Sequence, residues 1–190
     1  VEYNVWYLFE RKFRALINFK RNLWDSEYRE LWGRIRFFTS DVLRLDEFLF
    51  KGSVDLVIAH PPYYSSIQYG ELSFLWAVWL GLEVPFKEEI VSNLQQFTVF
   101  GNRLIRKDDA FFERKIRKAF QKLYELLRSH GVLCIIFNSR SRRRRENFVR
   151  CISDAGFKII EMYKCPQLYS QRQGLSKFIK ENLIIVCEKS

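Results

Sequence analysis

The sequence predicts an α/β fold in which strands and helices alternate along one domain. Two almost continuously apolar runs, at 54–59 and 132–138, are typical of strands covered on both faces, as in a parallel sheet. A stretch of helical periodicity at 108–128 lies between them, and this alternation indicates an α/β sheet. The chain has 190 residues, of which 17% are aromatic, so it is long and apolar enough to bury a core.

The first part of the chain has a helical pattern of its own. Apolar residues recur at helical spacing over 5–32, with arginine and lysine between them, which predicts one long or two shorter amphipathic helices. We therefore divide the chain into a helical segment, 1–34, which packs on the sheet or on a partner, and a sheet domain, 35–190.

Shorter patterns predict the remaining elements. The run at 70–82 is apolar all round, which indicates a helix that is buried or faces a partner. The other predicted elements are a strand at 35–39, a helical turn or two at 43–50, a helix at 146–155, and strands at 157–163 and 183–188.

A polyanion is the partner that the charge of the chain suggests first. Lysine and arginine number 32 against 22 acidic residues, a formal net charge of +10. An arginine run directly follows the predicted strand at 132–138, where it could grip phosphates without reading sequence. The run consists of Arg140, Arg142, Arg143, Arg144 and Arg145, and Arg172 could extend the same surface. The alternative is a solvated loop that begins a helix.

Several classes of protein are excluded by composition. The longest apolar stretches fall short of the roughly 20 residues that a membrane-spanning helix needs, so no membrane span is predicted. The four cysteines are far apart and form no CxxC pair, which argues against a metal site and a disulfide framework. We therefore expect a cytoplasmic protein that holds no metal ion.

The sharpest local feature is the junction DLVIAHPPYY at 55–64. A strand ends there at Pro61 and Pro62, whose rings fix the backbone and cannot donate to a sheet. Ligands of open α/β sheets bind at the carboxyl ends of strands, so a ligand is expected at this rigid corner. The ring of Tyr63 could stack on a flat heterocycle there. The alternative is an ordinary strand end with Tyr63 and Tyr64 packed beneath it.

This junction resembles motif IV of the S-adenosylmethionine-dependent amino-methyltransferases that act on DNA, in which a strand ends in (D/N/S)PPY. Other stretches are similar to the family's pattern, and together they extend over residues 35–189. They read SDVL at 40–43, SVDLVI at 53–58, LYELLRSHGVLCIIF at 123–137, AGF at 155–157 and FIKENLIIV at 178–186. The fold that this implies is a Rossmann-like methyltransferase sheet, with 35–190 as the catalytic part of the domain.

The resemblance implies transfer of a methyl group from S-adenosylmethionine to an exocyclic amine, N4 of cytosine or N6 of adenine. The target base would be flipped out of duplex DNA. His60 and the carbonyl of Pro61 would accept hydrogen bonds from the amine, and Pro62 completes the corner. Tyr63 would stack on the base, and Tyr64 would contact the nucleic acid. His60 departs from the family pattern, because a neutral imidazole offers one acceptor and a protonated one offers none.

Much of the cofactor site is missing from the sequence. By the same resemblance, Asp41 would lie near the adenine of the cofactor and Asn138 would line the site. The family's glycine-rich turn, FxGxG, is absent, since even Gly70 and Gly81, the nearest pair among the eight glycines, lie far apart. The acidic residue that ends the family's second strand is absent too.

The family's strand order, 3-2-1-4-5-7-6, locates this gap. The chain has patterns for strands 3 to 7, and strands 1 and 2 would lie between strands 3 and 4. The strands at 35–39 and 54–59 would then expose bare edges, which natural proteins avoid. We therefore expect a second protein chain that inserts strands 1 and 2 and carries the glycine motif. The alternatives are a fragment of a longer protein and loss of the two strands.

The predicted function is that of the catalytic subunit of a split DNA methyltransferase. One alternative is an RNA N-methyltransferase that uses the same corner. Another is a catalytically silent subunit that only binds nucleic acid within a methyltransferase heterodimer.

Overall fold

A computed structural model describes residues 5–24, 30, 34–84, 86, 88–100, 103–139, 141–166 and 181–190. The chain forms two compact units, Val1–Ser40 and Asp41–Ser190. None of the described helices combines the length and the apolar character of a membrane span, and among the same residues no three metal-binding side chains come together.

The first unit contains helix α1, Val5–Trp24. The predicted helical pattern over 5–32 thus gives one helix, and 25–29 and 31–33 lie outside the described residues. Its apolar side chains recur at helical spacing, and several of them are more than half exposed: Trp6, Phe9, Phe13 and Leu16. Within this unit, the apolar stripe of α1 is therefore open.

Residues 35–40 form no strand, although the sequence predicts one at 35–39. A strand exists through hydrogen bonds to a neighbouring strand, and no segment that the structure describes supplies one here. An apolar and β-branched run is therefore not sufficient by itself to form a strand. The second unit begins with a 3-10 helix, Val42–Glu47, which Asp41 caps by accepting a hydrogen bond from the Leu43 N–H at 2.9 Å.

A four-stranded sheet organises the second unit. Its strands are β1 (Val54–Ala59), β4 (Leu127–Phe137), β5 (Phe157–Pro166) and β6 (Glu181–Lys189). They lie in the order β1-β4-β6-β5, with β1 parallel to β4 and the other two pairs antiparallel. The α/β class is confirmed, and this order is the one expected for family strands 4, 5, 7 and 6.

Two helices pack against the sheet and against each other. They are α3 (Asp109–Leu126) and α4 (Arg142–Asp154), and both contribute to one buried apolar cluster with β4 and β6. At its centre the rings of Phe137 and Phe148 stack 3.7 Å apart. Helix α4 begins earlier than the predicted 146, because Ser141 caps it and accepts a hydrogen bond from the Arg144 N–H.

β1 lies at an open edge of this sheet. It pairs with β4 and with no other strand in the described part of the chain. The side chains of Leu56 and Ile58 are 53% and 70% exposed. The prediction that β1 is covered on both faces is thus wrong in this structure. An apolar edge strand of this kind readily pairs with another chain.

Helix α2, Tyr69–Trp79, follows the corner and confirms the helix predicted at 70–82. Its first turn is fixed by Glu89, which accepts a hydrogen bond from the Gly70 N–H at 2.9 Å. Its apolar side chains remain largely exposed, among them Leu72, Trp76 and Trp79. The second unit therefore has two elements with exposed apolar side chains, strand β1 and helix α2, and the corner connects them in the sequence.

An antiparallel hairpin follows α2 and was not predicted. It consists of β2, Asn93–Phe100, and β3, Arg103–Lys107. In the sequence, a Gly-Asn pair at 101–102 separates two runs rich in β-forming residues, which is a recognised hairpin signal. Lys107 is fully buried and donates a hydrogen bond to the Phe86 carbonyl, and burial lowers the pKa of its ammonium group.

Candidate active site and nucleic-acid interface

The corner formed by residues 60–64 lies where two parallel strands end together. Ala59, the last residue of β1, pairs with Ile135 of β4, and β4 ends two residues later at Phe137. Both carboxyl ends therefore meet at one edge of the sheet. The start of α4, with most of the arginine run, follows β4 at this same edge.

Tyr63 is held in place from several directions. Its ring meets the Phe137 ring edge-on at 5.5 Å and the His60 ring edge-on at 5.2 Å. Its hydroxyl hydrogen-bonds to His60 Nε2 and lies 3.5 Å from the Ile136 carbonyl. His60 Nε2 is therefore committed to Tyr63, which leaves Nδ1 for any other partner. Burial raises the pKa of Tyr63, so this phenol stays protonated at neutral pH.

Tyr64 belongs to the core, which corrects the expectation that it contacts nucleic acid. Only 1% of its surface is exposed, and its ring stacks on Phe112 at 4.1 Å. Its hydroxyl donates to the Arg144 carbonyl or to Glu113, at 3.1 and 3.2 Å. Its backbone has a φ of 45°, in the left-handed region that non-glycine residues seldom adopt. The chain therefore turns sharply after Tyr63, and the buried ring anchors that turn.

The side chain of Arg144 is hydrogen-bonded to other residues of the protein, which corrects its assignment as a phosphate contact. Two of its nitrogens donate to the two carboxylate oxygens of Asp109 at 2.8 Å, and a third donates to Ser65 at 3.1 Å. Its guanidinium carbon also lies 4.9 Å from the centre of the Tyr64 ring. Ser92 donates to the same carboxylate. Arg144 thus ties the segment after the corner to the start of α3.

The charge of Asp109 is stabilised by this network. Burial alone would raise the pKa of its carboxyl group, but hydrogen bonds from Arg144 and Ser92 hold that pKa below its ordinary value. The carboxylate is therefore ionised at neutral pH, as the pairing with Arg144 requires.

The remaining arginines differ in exposure. The side chain of Arg142 is 86% exposed and pairs with the carboxylate one turn later, and Arg143 is also exposed. Arg145 donates to the Ser139 carbonyl at 2.6 Å and is half-buried. Two predicted contacts, Arg140 and Arg172, lie outside the described residues. Among the described arginines of the run, Arg142 and Arg143 are thus the ones best placed to reach a phosphate.

Two cavities open at this edge of the sheet. The first, of about 440 Å³, lies beside the corner and is lined by Tyr63, Tyr64, Ser65, Ser66, Ser139, Ser141 and Arg144. The second, of about 390 Å³, has both apolar and polar lining residues. Its lining is Phe137, Asn138, Ser139, Arg145, Glu146, Val149, Met162, Lys164, Asn182 and Leu183. Ser139 lines both, so the cavities adjoin.

The two residues expected near the cofactor are not brought together. Asp41 caps the 3-10 helix and lines neither cavity. Asn138 is 6% exposed and lines the second cavity, where its Nδ2 donates to Asn182 Oδ1 at 2.8 Å.

Sequence reasoning missed the polar network behind the corner. Asp108 and Asp109 begin α3, and an acidic pair before an apolar periodic run is a helix-start signal, which accounts for Asp108 as the cap. No local signal reveals that Asp109 pairs with Arg144, because 35 residues separate them and only the packing of α3 on α4 brings them together.

Comparison with protein-family models finds no match, and comparison with curated proteins finds no significantly similar sequence. Among solved structures, the PvuII DNA methyltransferase, which is cytosine-N4-specific, superposes with a TM-score of 0.50 at 12% identity. This match covers 80% of the present chain and 48% of that one. It shows that the two chains share a fold, the mixed α/β sheet of Rossmann-like methyltransferases.

Two further structures give lower scores. A Thermus thermophilus protein, provisionally assigned as a DNA modification methylase and complexed with S-adenosyl-L-methionine, has a TM-score of 0.45 at 14% identity. The match covers 80% of this chain and 51% of that one. The N-methyltransferase NodS from Bradyrhizobium japonicum WM9, in complex with S-adenosyl-L-homocysteine, has a TM-score of 0.44 at 12% identity. This match covers 84% of the present chain and 57% of NodS. The chain thus spans about half the length of the structures it matches.

Proposed function

We propose that this chain carries the catalytic corner of an S-adenosylmethionine-dependent methyltransferase that modifies the exocyclic amino group of a flipped base in duplex DNA. One observation carries the proposal. The HPPY corner ends an edge strand at the carboxyl edge of a sheet whose order, β1-β4-β6-β5, is that of strands 4, 5, 7 and 6 in the DNA amino-methyltransferases. The fold shared with the PvuII enzyme supports the same proposal.

The corner has the groups that such chemistry needs. An exocyclic amine is a poor nucleophile because its lone pair is delocalised into the ring. Hydrogen bonds from the amine to the Pro61 carbonyl and to His60 Nδ1 would orient it, and the anchored ring of Tyr63 would hold the base by stacking. The cavity of about 440 Å³ beside Tyr63 is large enough for one base.

The described residues fit only part of an S-adenosylmethionine site. This cofactor, when bound, supplies an electrophilic methyl group. We assign Asp41 to its adenine side, where the exposed start of the 3-10 helix is accessible. The glycine-rich turn that lets backbone approach the methionine part is absent from the sequence. The rest of the site must therefore come from polypeptide that this sequence does not contain.

The open edge of β1 indicates where that polypeptide would join. Strand 1 of the family order would pair with β1, with strand 2 beyond it, and Leu56 and Ile58 are exposed on β1. A strand paired with β1 would satisfy its free backbone groups, and the layer that covers that strand would bury these two side chains. The same addition would place a glycine-rich turn at the carboxyl edge, next to the corner.

Cofactor titration tests whether the cofactor site is divided between this chain and a second polypeptide. The chain alone is expected to bind S-adenosylmethionine weakly, with a dissociation constant above about 1 mM, whereas the complex that co-purifies with it should bind in the micromolar range. Isothermal calorimetry on both samples measures the difference. Micromolar binding by the chain alone would contradict the proposed division of the site.

The nucleic-acid partner is assigned from the exposed charge. Arg142 and Arg143 project from the start of α4 at the edge that holds the corner, where they would contact phosphates on either side of a flipped base. The test is to assay the complex side by side for methyl transfer from labelled S-adenosylmethionine to duplex DNA and to RNA. The polymer that accepts the methyl group is the substrate.

One observation favours a second candidate, a catalytically silent subunit. The Nε2 atom of His60 is engaged by Tyr63, so this residue offers the amine fewer acceptors than the Asp, Asn or Ser of the family. If the corner is active but weakened, His60→Asn restores the acceptor of the family in place of Nδ1 and should raise methyl transfer by up to about tenfold, the worth of about one better hydrogen bond. Transfer that stays unchanged in this variant, with an unchanged melting temperature, would favour the silent subunit.

A further inference from the structure

The second cavity, of about 390 Å³, is not used by the chemistry proposed above. Met162, Leu183 and Phe137 are among its apolar lining residues, and Asn138 and Asn182 contribute amide groups to the lining. Its volume falls in the usual range of about 300–1,000 Å³ for small-ligand pockets. It therefore has room for one flat ligand.

The two amides define the chemistry of that ligand. Asn138 is 94% buried, and a single hydrogen bond of 2.8 Å joins it to Asn182. Beyond that bond, Asn138 has a carbonyl oxygen that can accept, and Asn182 has an NH₂ group that can donate. An acceptor beside a donor is the pattern that matches the edge of a nucleobase, and the apolar lining residues suit its faces. Arg145 and Lys164 also line the cavity and favour a phosphate.

The position of the cavity points to the polynucleotide rather than to the cofactor. It lies among the ends of β4, β5 and β6 and the start of α4, whereas the missing strands would join on the opposite side, at β1. It adjoins the Tyr63 cavity through Ser139, and the ring of Phe137, which also lines it, is the one that contacts Tyr63.

We propose that this cavity binds the nucleotide next to the one that is methylated, with Asn138 and Asn182 contacting its base. This inference rests on the proposed function, since it takes the Tyr63 cavity as the site of the target base. It replaces the expectation that Asn138 lines the cofactor site.

The test follows the side-chain amide signals of Asn138 and Asn182 by NMR in the full, isotope-labelled chain. Titration with dAMP or dCMP is expected to shift both signals to saturation, and inorganic phosphate is expected to leave them in place. Met162→Trp fills the cavity and should weaken this binding at least about tenfold. Ile160→Trp is the matched control: it lies on the same strand, is 49% exposed against 53% for Met162, and is outside the cavity, so binding should remain unchanged.

Three outcomes would overturn the inference: amide signals that no nucleotide shifts, equal binding by the two tryptophan variants, or a shift caused by S-adenosylhomocysteine instead. Backbone signals of Tyr63 and Ser65 report the first cavity separately. If nucleotides shift those signals alone, the second-nucleotide site is wrong while the proposed function stands. If methyl transfer is absent from the complex, the proposed function fails on its own assay.

Discussion

Replacing Tyr63 with alanine is expected to lower kcat/KM for methyl transfer to DNA by about 5- to 150-fold in the complex, because stacking of one base on an aromatic ring contributes about 1–3 kcal/mol. Tyr63→Phe keeps the ring and loses only the hydroxyl contacts with His60 and the Ile136 carbonyl, so it should retain most of the activity. Steady-state kinetics with labelled S-adenosylmethionine measures both variants.

The control for this prediction is Tyr163→Ala. Tyr163 is 47% exposed on β5 and lines neither cavity, so its loss should leave kcat/KM unchanged. Melting curves establish that each variant remains folded. Full activity of a folded Tyr63→Ala variant would show that the corner does not hold the base.

Replacing Arg144 with alanine is expected to destabilise the second unit by about 1.5–3 kcal/mol, less than for a fully buried ion pair because water partly screens the exposed charges. The change removes both hydrogen bonds to Asp109, the bond to Ser65 and the contact with the Tyr64 ring. Urea unfolding followed by circular dichroism gives the free energy of unfolding.

Arg142 provides the comparison within the same helix turn. Its side chain is 86% exposed, so Arg142→Ala should change stability by no more than about 0.5 kcal/mol. The double variant Arg142→Ala/Arg143→Ala should instead weaken DNA binding and reduce its salt dependence, because it removes phosphate contacts. Equal stability losses in the Arg144 and Arg142 variants would contradict the network described above.

The effect of Arg144→Ala should also depend on pH. The folded state holds the pKa of Asp109 below the unfolded value, so it favours the charged carboxylate. The stability that this adds is complete above the unfolded pKa, about 4, and is lost as pH falls through the folded pKa. The stability difference between wild type and variant should therefore narrow below about pH 4, which unfolding curves at several pH values would show.

The sequence by itself determined the α/β class, most of the element order and the place of the corner. These follow from local causes. The apolar run of β1 ends at two prolines, and the periodic pattern that became α3 begins at the cap Asp108, so short-range patterning is enough to locate both. The sheet order agreed with the family resemblance, since motif and strand pattern together constrain how the strands are placed.

Only the tertiary structure decided which side chains are available to a ligand. In the sequence, Tyr63 and Tyr64 are neighbours that are both expected to contact the nucleic acid, and Arg142 and Arg144 belong to one basic run. The left-handed turn at Tyr64 buries one ring and leaves the other at the corner, and the packing of α3 on α4 brings Asp109 to Arg144. Residues 35–39 likewise formed no strand, because a strand needs a neighbour to bond with. Pairings between distant residues depend on how whole elements pack, which the local pattern of a segment does not encode.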